Sequence, residues 1–279
     1  MSTLLRRSER AMLRIAWRRS YSVTPVSAWQ QKRLDLWDAE KCRQQKLLNQ
    51  AAEGTGDDAD GKEIKLLVQR GKKKGPKELL FAKKENVTPN DLVKVAGGDG
   101  PIGALCRPQN SNSDSATVVG MDDALNDIGD CSVQMISAND ADVNANVDVH
   151  VKEAAQSILW HSAAHVLGQA AENILSRHIE NDLGGNGKVL DQQSTNVLLC
   201  DGPPLVDGSV EGGFFYEMSL PKGFTIREEK FFPELEAEMG RILSDKQNFE
   251  KLHVSKDFAA KMFSYNPFKL DMLEQIPET

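Results

Sequence analysis

Cysteine is scarce and scattered. The four in 279 residues (Cys42, Cys106, Cys131 and Cys200) lie far apart, with no Cys-x-x-Cys pair. That spacing supports neither a disulfide framework nor a zinc ribbon, and it fits a reducing compartment. Aromatic residues reach only 6%. No apolar run approaches the roughly 18 residues that a membrane-spanning helix needs, so no membrane partner is expected. Glycine and proline, at 21 and 11, show neither the period of collagen nor the bias of a globally disordered chain. At roughly 100–200 residues per domain, the length predicts two domains and a real core.

What is present comes in blocks. The net charge of −7 hides a basic start: residues 1–30 hold Arg6, Arg7, Arg10, Arg14, Arg18 and Arg19 against the single acid Glu9. An Arg-rich, acid-poor leader with interspersed Leu, Met, Ile and Trp can wind into a basic amphipathic helix, the mark of an organellar presequence. Arg19-Ser20-Tyr21-Ser22 looks like a matrix-protease site. Residues 1–27 are therefore expected to be a disordered transit peptide and the mature chain to lie in the mitochondrial matrix, the alternative being a basic nucleic-acid arm.

Residues 28–50 lack Gly and Pro and carry only a partial apolar stripe at Leu34, Trp37, Cys42 and Leu47–Leu48, which predicts an exposed helix. The nearly apolar-free stretch 51–62 reads as a linker. Over 63–137 the order is strand (Glu63–Gln69), basic turn (RGKKKGPK), strand (Glu78–Ala82) and a helix through Ala96 opened by Thr88-Pro89. Short strands at Ile102–Cys106, Thr117–Gly120 and Cys131–Ser137 follow, interrupted by a polar insertion at 108–115. That is the order of a ubiquitin-like grasp. The basic turn is either a tRNA-phosphate contact or a solvated hairpin tip. Residues 138–151 close an Asp-rich run that reads as an acidic connector, since it lacks the Gly and terminal Glu of a calcium loop.

From Lys152 to Arg177 the pattern turns helical, with Ala155, Leu159, Ala163, Val166, Ala170 and Ile174 on one stripe. A Gly-rich stop at 184–187 follows, then a strand at Val197–Cys200, a turn-dense stretch and a strand at Phe214–Leu220. A helix is predicted over 228–248 with Leu235, Met239, Ile242 and Leu243 inward. Phe249–Val254 reads as a strand, Ser255 as the cap of a helix to about Tyr265, and Phe268–Leu273 as a last strand. The chain is thus α+β, with a second α+β domain over 152–279.

The sharpest chemical feature is His161-Ser162-Ala163-Ala164-His165. On a helix, residues i and i+4 share a face, so both imidazoles point the same way. Such a pair can bind zinc, orient a water, hydrogen-bond a sugar hydroxyl, or be structural. Ser162 stands where a zinc metalloprotease carries its general-base Glu, which excludes that reading. The small residues Ser162, Ala163, Ala164 and Gly168 leave room for something to approach the helix closely. Tyr216 and Lys269 have plain readings, a Tyr packing a sheet edge and a snorkelling surface Lys.

HSAAHVLGQAAE (161–172), DGPPLVDGSVEGGFFYEMSL (201–220) and KQNFEKLHVSKDFAAKMFSYNPFKLDMLEQIPE (246–278) resemble the editing domain of threonyl-tRNA synthetases. The 63–137 unit is similar to the TGS domain that precedes it in that family. The resemblance implies a β-grasp TGS domain followed by an editing domain whose site uses His161, His165, Tyr216 and Lys269. It implies hydrolysis of mischarged seryl-tRNA(Thr), with the tRNA acceptor end as partner; a zinc on His161 and His165 rests on the histidine pair alone, which supplies two of the usual four ligands. The family completes its site with an Asp-x-Cys-x3-His motif downstream of the Phe-Lys pair, which the sequence to Thr279 does not contain, and Glu217 replaces the usual Asp after the Tyr. The class II catalytic motifs and the anticodon-binding domain are also absent, so no synthetic site is expected in this chain. Two alternatives share the ancestry. One is a structural protein of the mitochondrial ribosomal large subunit, which Arg33–Gln44 also resembles. The other is a free-standing deacylase acting in trans.

Overall fold

The computed structural model describes residues 28–54, 63–70, 75–82, 86–97, 100–109, 116–142, 144–184, 197–202, 204–205, 213–247 and 249–277. The expected leader, residues 55–62 of the linker, most of the polar insertion, the basic turn at 71–74 and most of the turn-dense 203–212 stretch lie outside the described residues. The chain divides into two compact units. One holds residues 56–162 and 204–214, and the other holds 1–55, 163–203 and 215–279.

The first unit is built on strands β1 (Glu63–Val68), β2 (Lys77–Ala82), β3 (Pro101–Pro108), β4 (Thr117–Val119) and β5 (Cys131–Ser137), with helix α2 (Pro89–Ala96) between β2 and β3. The sheet order is β2-β1-β5-β3-β4, with β1 and β5 parallel and the other neighbours antiparallel. Alternation sets the faces: Ile64, Leu66 and Val68 turn inward from β1 onto Leu92 and Ala96 of α2. Thr88 and Asp91 close a capping box and Pro89 fills the first turn, so this helix starts where the sequence predicts. On the opposite face Leu105 and Ile136 pack under Val151, Ala154 and Ala155 of the first part of α3 (Val149–Gly184). Gly103 makes that approach possible, since a Cβ there would meet Ile158 Cδ1 at 2.8 Å. A β7 (Pro204–Leu205) and β8 (Gly213–Phe214) hairpin completes this unit.

The Asp-rich run is structured, not merely a solvated connector. Asp123 accepts from Gly120 N, Asp130 from Lys65 N, Asp140 from Ser137 N, Asp142 from Asn144 N and Asp148 from His150 N. These carboxylates satisfy backbone donors at turns, on β1 and at the start of α3, which a basic side chain cannot do.

In the second unit the rest of α3 is the spine. Ala171, Ile174, Leu175 and Ile179 pack with Val197 and Phe231, while Val166 and Ala170 meet Ile242 of α4 (Glu228–Ser244). β6 (Leu198–Leu199) pairs with β9 (Met218–Ser219). Helix α1 (Ala28–Gly54) packs Trp37 against Leu252, Met262 and Phe263 near α5 (Lys256–Met262).

Several expectations need correction. The 28–50 helix is not simply exposed, because Gln30, Arg33, Trp37 and Glu40 form a buried stripe. Phe214–Leu220 is not one strand but β8 and β9, in different sheets. Leu243 points outward at 64% exposure, and Leu159 leaves the α3 stripe for the surface. Phe249–Val254 is irregular, and Phe268–Leu273 belongs to helix α6 (Pro267–Glu274). There the Asn266 side chain accepts from Lys269 N and Pro267 takes the first helical position, a start signal that overrides the strand-like alternation of Phe268, Leu270 and Met272.

Candidate functional site

Helix α3 carries His161, His165, Gly168 and Glu172 at steps of four, three and four residues, hence on one face. Both imidazoles are half-buried. His161 falls in the part of α3 assigned to the first unit and His165 in the part assigned to the second.

The second unit gathers the rest. The ring of Tyr216 lies 6.5 Å from that of His165, centre to centre. It is wedged between two glycines: a Cβ on Gly168 would meet Tyr216 Cε2 at 2.6 Å, and one on Gly202 would meet Tyr216 Cδ2 at 2.5 Å. The room left by small residues along the helix is therefore filled here by the chain's own tyrosine. Backbone bonds from Cys200 N to Glu217 O (2.9 Å) and from Glu217 N to Asp201 O (2.7 Å) fix the residue that follows the tyrosine. The Asp201 carboxylate accepts from Gly202 N at 2.8 Å, stiffening the turn that presents the second glycine.

Lys269 enters from α6. Asn266, 1% exposed, both caps that helix and donates from Nδ2 to Leu199 O at 2.9 Å, which ties α6 to β6 and hence to Cys200 and Asp201. Burial pushes the Lys269 ammonium below its ordinary value, and the Asp201 carboxylate and Cys200 partly offset this. Burial, reinforced by the charges of Glu172 and Asp201, raises Tyr216, so its phenol stays protonated and can donate a hydrogen bond. Burial also raises the Cys200 thiol, which leaves it a poor nucleophile.

His165, Tyr216 and Lys269 thus lie in one unit, with Asp201 acting on both the phenol and the ammonium. Sequence reasoning missed Asp201 and the buried Glu172 with its partner Arg33. A glutamate on the same helical face as the histidines, three turns on from His161, was the available signal for Glu172. Among the described residues no group of three or more His, Cys, Asp and Glu could hold a metal ion, so the zinc expectation for His161 and His165 finds no third ligand there.

Searched against protein-family models, the chain matches none. Individual proteins do match. The chain is 38% identical over 128 residues to threonine–tRNA ligase 2, cytoplasmic, of Xenopus tropicalis, an alignment covering 46% of the chain and 12% of that protein. It is 26% identical over 248 residues to threonine–tRNA ligase 1, cytoplasmic, of Homo sapiens, covering 87% of the chain and 26% of the relative. It is 27% identical over 207 residues to threonine–tRNA ligase, mitochondrial 1, of Arabidopsis thaliana, covering 68% and 24%. The chain spans about a quarter or less of the length of these relatives.

Proposed function

Since its homologues are threonine–tRNA ligases that it matches along most of its length, we propose that this chain is a proofreading module of that lineage, hydrolysing seryl-tRNA(Thr) in mitochondrial translation. The 63–137 sheet is then the TGS domain and 152–279 the editing domain. The observation that supports this best is the Tyr216 ring seated between Gly168 and Gly202, 6.5 Å from the ring of His165.

The need for such a site is thermodynamic. Serine lacks one methyl of threonine, and a pocket distinguishes one such group by only about 1–3 kcal/mol. A second site that admits serine and sterically rejects the threonine methyl supplies the remaining accuracy. Hydrolysis adds water to the ester carbonyl, breaks the acyl C–O bond, and returns the proton to the terminal ribose hydroxyl. His165, with His161 one turn before it, holds the water and that hydroxyl. The Lys269 ammonium meets the negative charge that grows on the carbonyl oxygen, and its half-buried setting strengthens the interaction. Tyr216 contributes a neutral O–H donor and a rigid wall. No thiol or hydroxyl nucleophile is needed, in keeping with a protonated Cys200.

The test is single-turnover hydrolysis of seryl-tRNA(Thr) by the purified chain. His165→Ala should lower the rate about 100-fold or more, the usual range for a lost acid–base or positioning group. An inert wild-type chain that cosediments with the mitochondrial large ribosomal subunit at high salt overturns the reading in favour of the ribosomal alternative.

A further inference from the structure

Helix α1 lies along the 250–265 segment through one line of residues. Trp29 stacks on Tyr265 with ring centres 4.4 Å apart, Trp37 packs on Leu252 and Met262, Lys41 pairs with Glu250 at 2.8 Å, and Gln44 donates to His253 O. In the middle of that line Arg33 is only 8% exposed. Its Nη2 reaches Glu172 Oε2 at 3.4 Å and its Nη1 donates to the Tyr265 hydroxyl at 2.8 Å, with the guanidinium 5.3 Å from the centre of the Trp29 ring.

The two ends of that fork matter. Glu172, 1% exposed, stands on the α3 face of His165 and Gly168. Tyr265 immediately precedes Asn266, the cap of the helix that carries Lys269. A single planar cation therefore holds the element bearing His165 to the element bearing Lys269. We propose that Arg33 is a positioning residue for hydrolysis, and that α1 is an obligatory part of the catalytic module. A buried ion pair of this length is a weak source of stability, since apolar replacements of such pairs are often neutral. What a planar fork supplies that an apolar pair does not is a fixed angle between its two acceptors.

The proposal rests on the proofreading reading above, and the test separates the two. Three variants are compared with wild type: Arg33→Lys, Arg33→Met, and Arg33→Met with Glu172→Leu, which removes both charges and keeps the fold if the single variant does not. Seryl-tRNA(Thr) hydrolysis, Tm, and the imidazole resonances of His165 are measured. Arg33→Lys and the double variant should lose about tenfold or more in kcat with KM for the tRNA held within about twofold, the cost of misplaced groups. The double variant should do so at a Tm near that of wild type, with His165 resonances displaced. If kcat returns together with Tm in the double variant, the pair is only structural and the proposal fails. If wild type does not hydrolyse the ester, the proofreading reading fails instead. The His165 resonances then still decide whether Arg33 sets the geometry, unchanged resonances in the double variant overturning it.

Discussion

Gly168 is the residue at which adding one methyl group is most informative. In an ordinary helix interior, Ala is better than Gly by about 1 kcal/mol. Here the added Cβ would press on the Tyr216 ring at 2.6 Å. Gly168→Ala should therefore destabilise the protein by about 1–3 kcal/mol, as overpacking does, measured by urea unfolding. With Tyr216→Ala already in place the same change should stabilise it. A stabilised single variant would show that the ring is not clamped. Lys269 gives the pH dependence. Its folded value lies below the ordinary 10.5, so the unfolded chain binds that proton more tightly, and stability should rise with pH between the lowered value and 10.5. Activity should move the other way: hydrolysis that needs the ammonium falls as pH climbs through the lowered value, and Lys269→Arg should shift that limb upward in a rate–pH profile. At this scale the sequence marks which residue types matter, and the His-x3-His spacing puts both rings on one face without further information. It does not show that Tyr216 would fill the gap beside Gly168, because a tertiary approach leaves no mark on local periodicity.

Among the elements, α6 decides where the cation goes. Asn266→Ala removes both the cap and the donor to Leu199 O, and should cost about 1–3 kcal/mol in chemical denaturation. Asn266→Asp keeps the cap acceptor but sets a buried carboxylate oxygen against Leu199 O, and should cost at least as much as Asn266→Ala. This helix reads as a strand in the sequence because Phe268, Leu270 and Met272 alternate, a period-2 signal over a segment too short for helical periodicity to compete. The Asn-Pro pair was the better guide. For α1 the difficulty is chemical: the stripe it buries is Gln30, Arg33, Trp37 and Glu40, of which only Trp37 belongs to the apolar stripe read from the sequence. Phe249–Val254 looks like a strand by composition, yet the carbonyl of His253 is taken by Gln44 of α1, outside any ladder.

Across the whole molecule, charge limits how the proposed tRNA partner can be held. The net charge is −7, and the Asp side chains after Gly120 spend their acceptors on turns while still repelling phosphate. If the basic 70–77 turn is a solvated hairpin tip, few phosphates are neutralised at once and the slope of log affinity for tRNA against log salt should be shallow, about −2 or less in magnitude. A slope several times steeper, measured by filter binding across a salt series, would point to an extensive basic surface. The mixed sheet was readable at this scale because its strands alternate and its turns carry Gly, Pro and Asp. Of the 36 residues of α3, Lys152–Arg177 read as helical in the sequence, and only the two ends, from Val149 and to Gly184, went unmarked because the apolar stripe stops short of them.

The seating of Tyr216 between two bare backbone positions carries an evolutionary corollary. Tyr216 belongs to none of the buried hydrophobic clusters among the described residues, so on the proposed function a gene copy released from selection for accuracy needs only a one-carbon gain at Gly202 to evict the aromatic wall. Its product would keep folding and stay open to recruitment as a scaffold. Among natural descendants, whether that position is still bare should sort the working hydrolases from the retired ones.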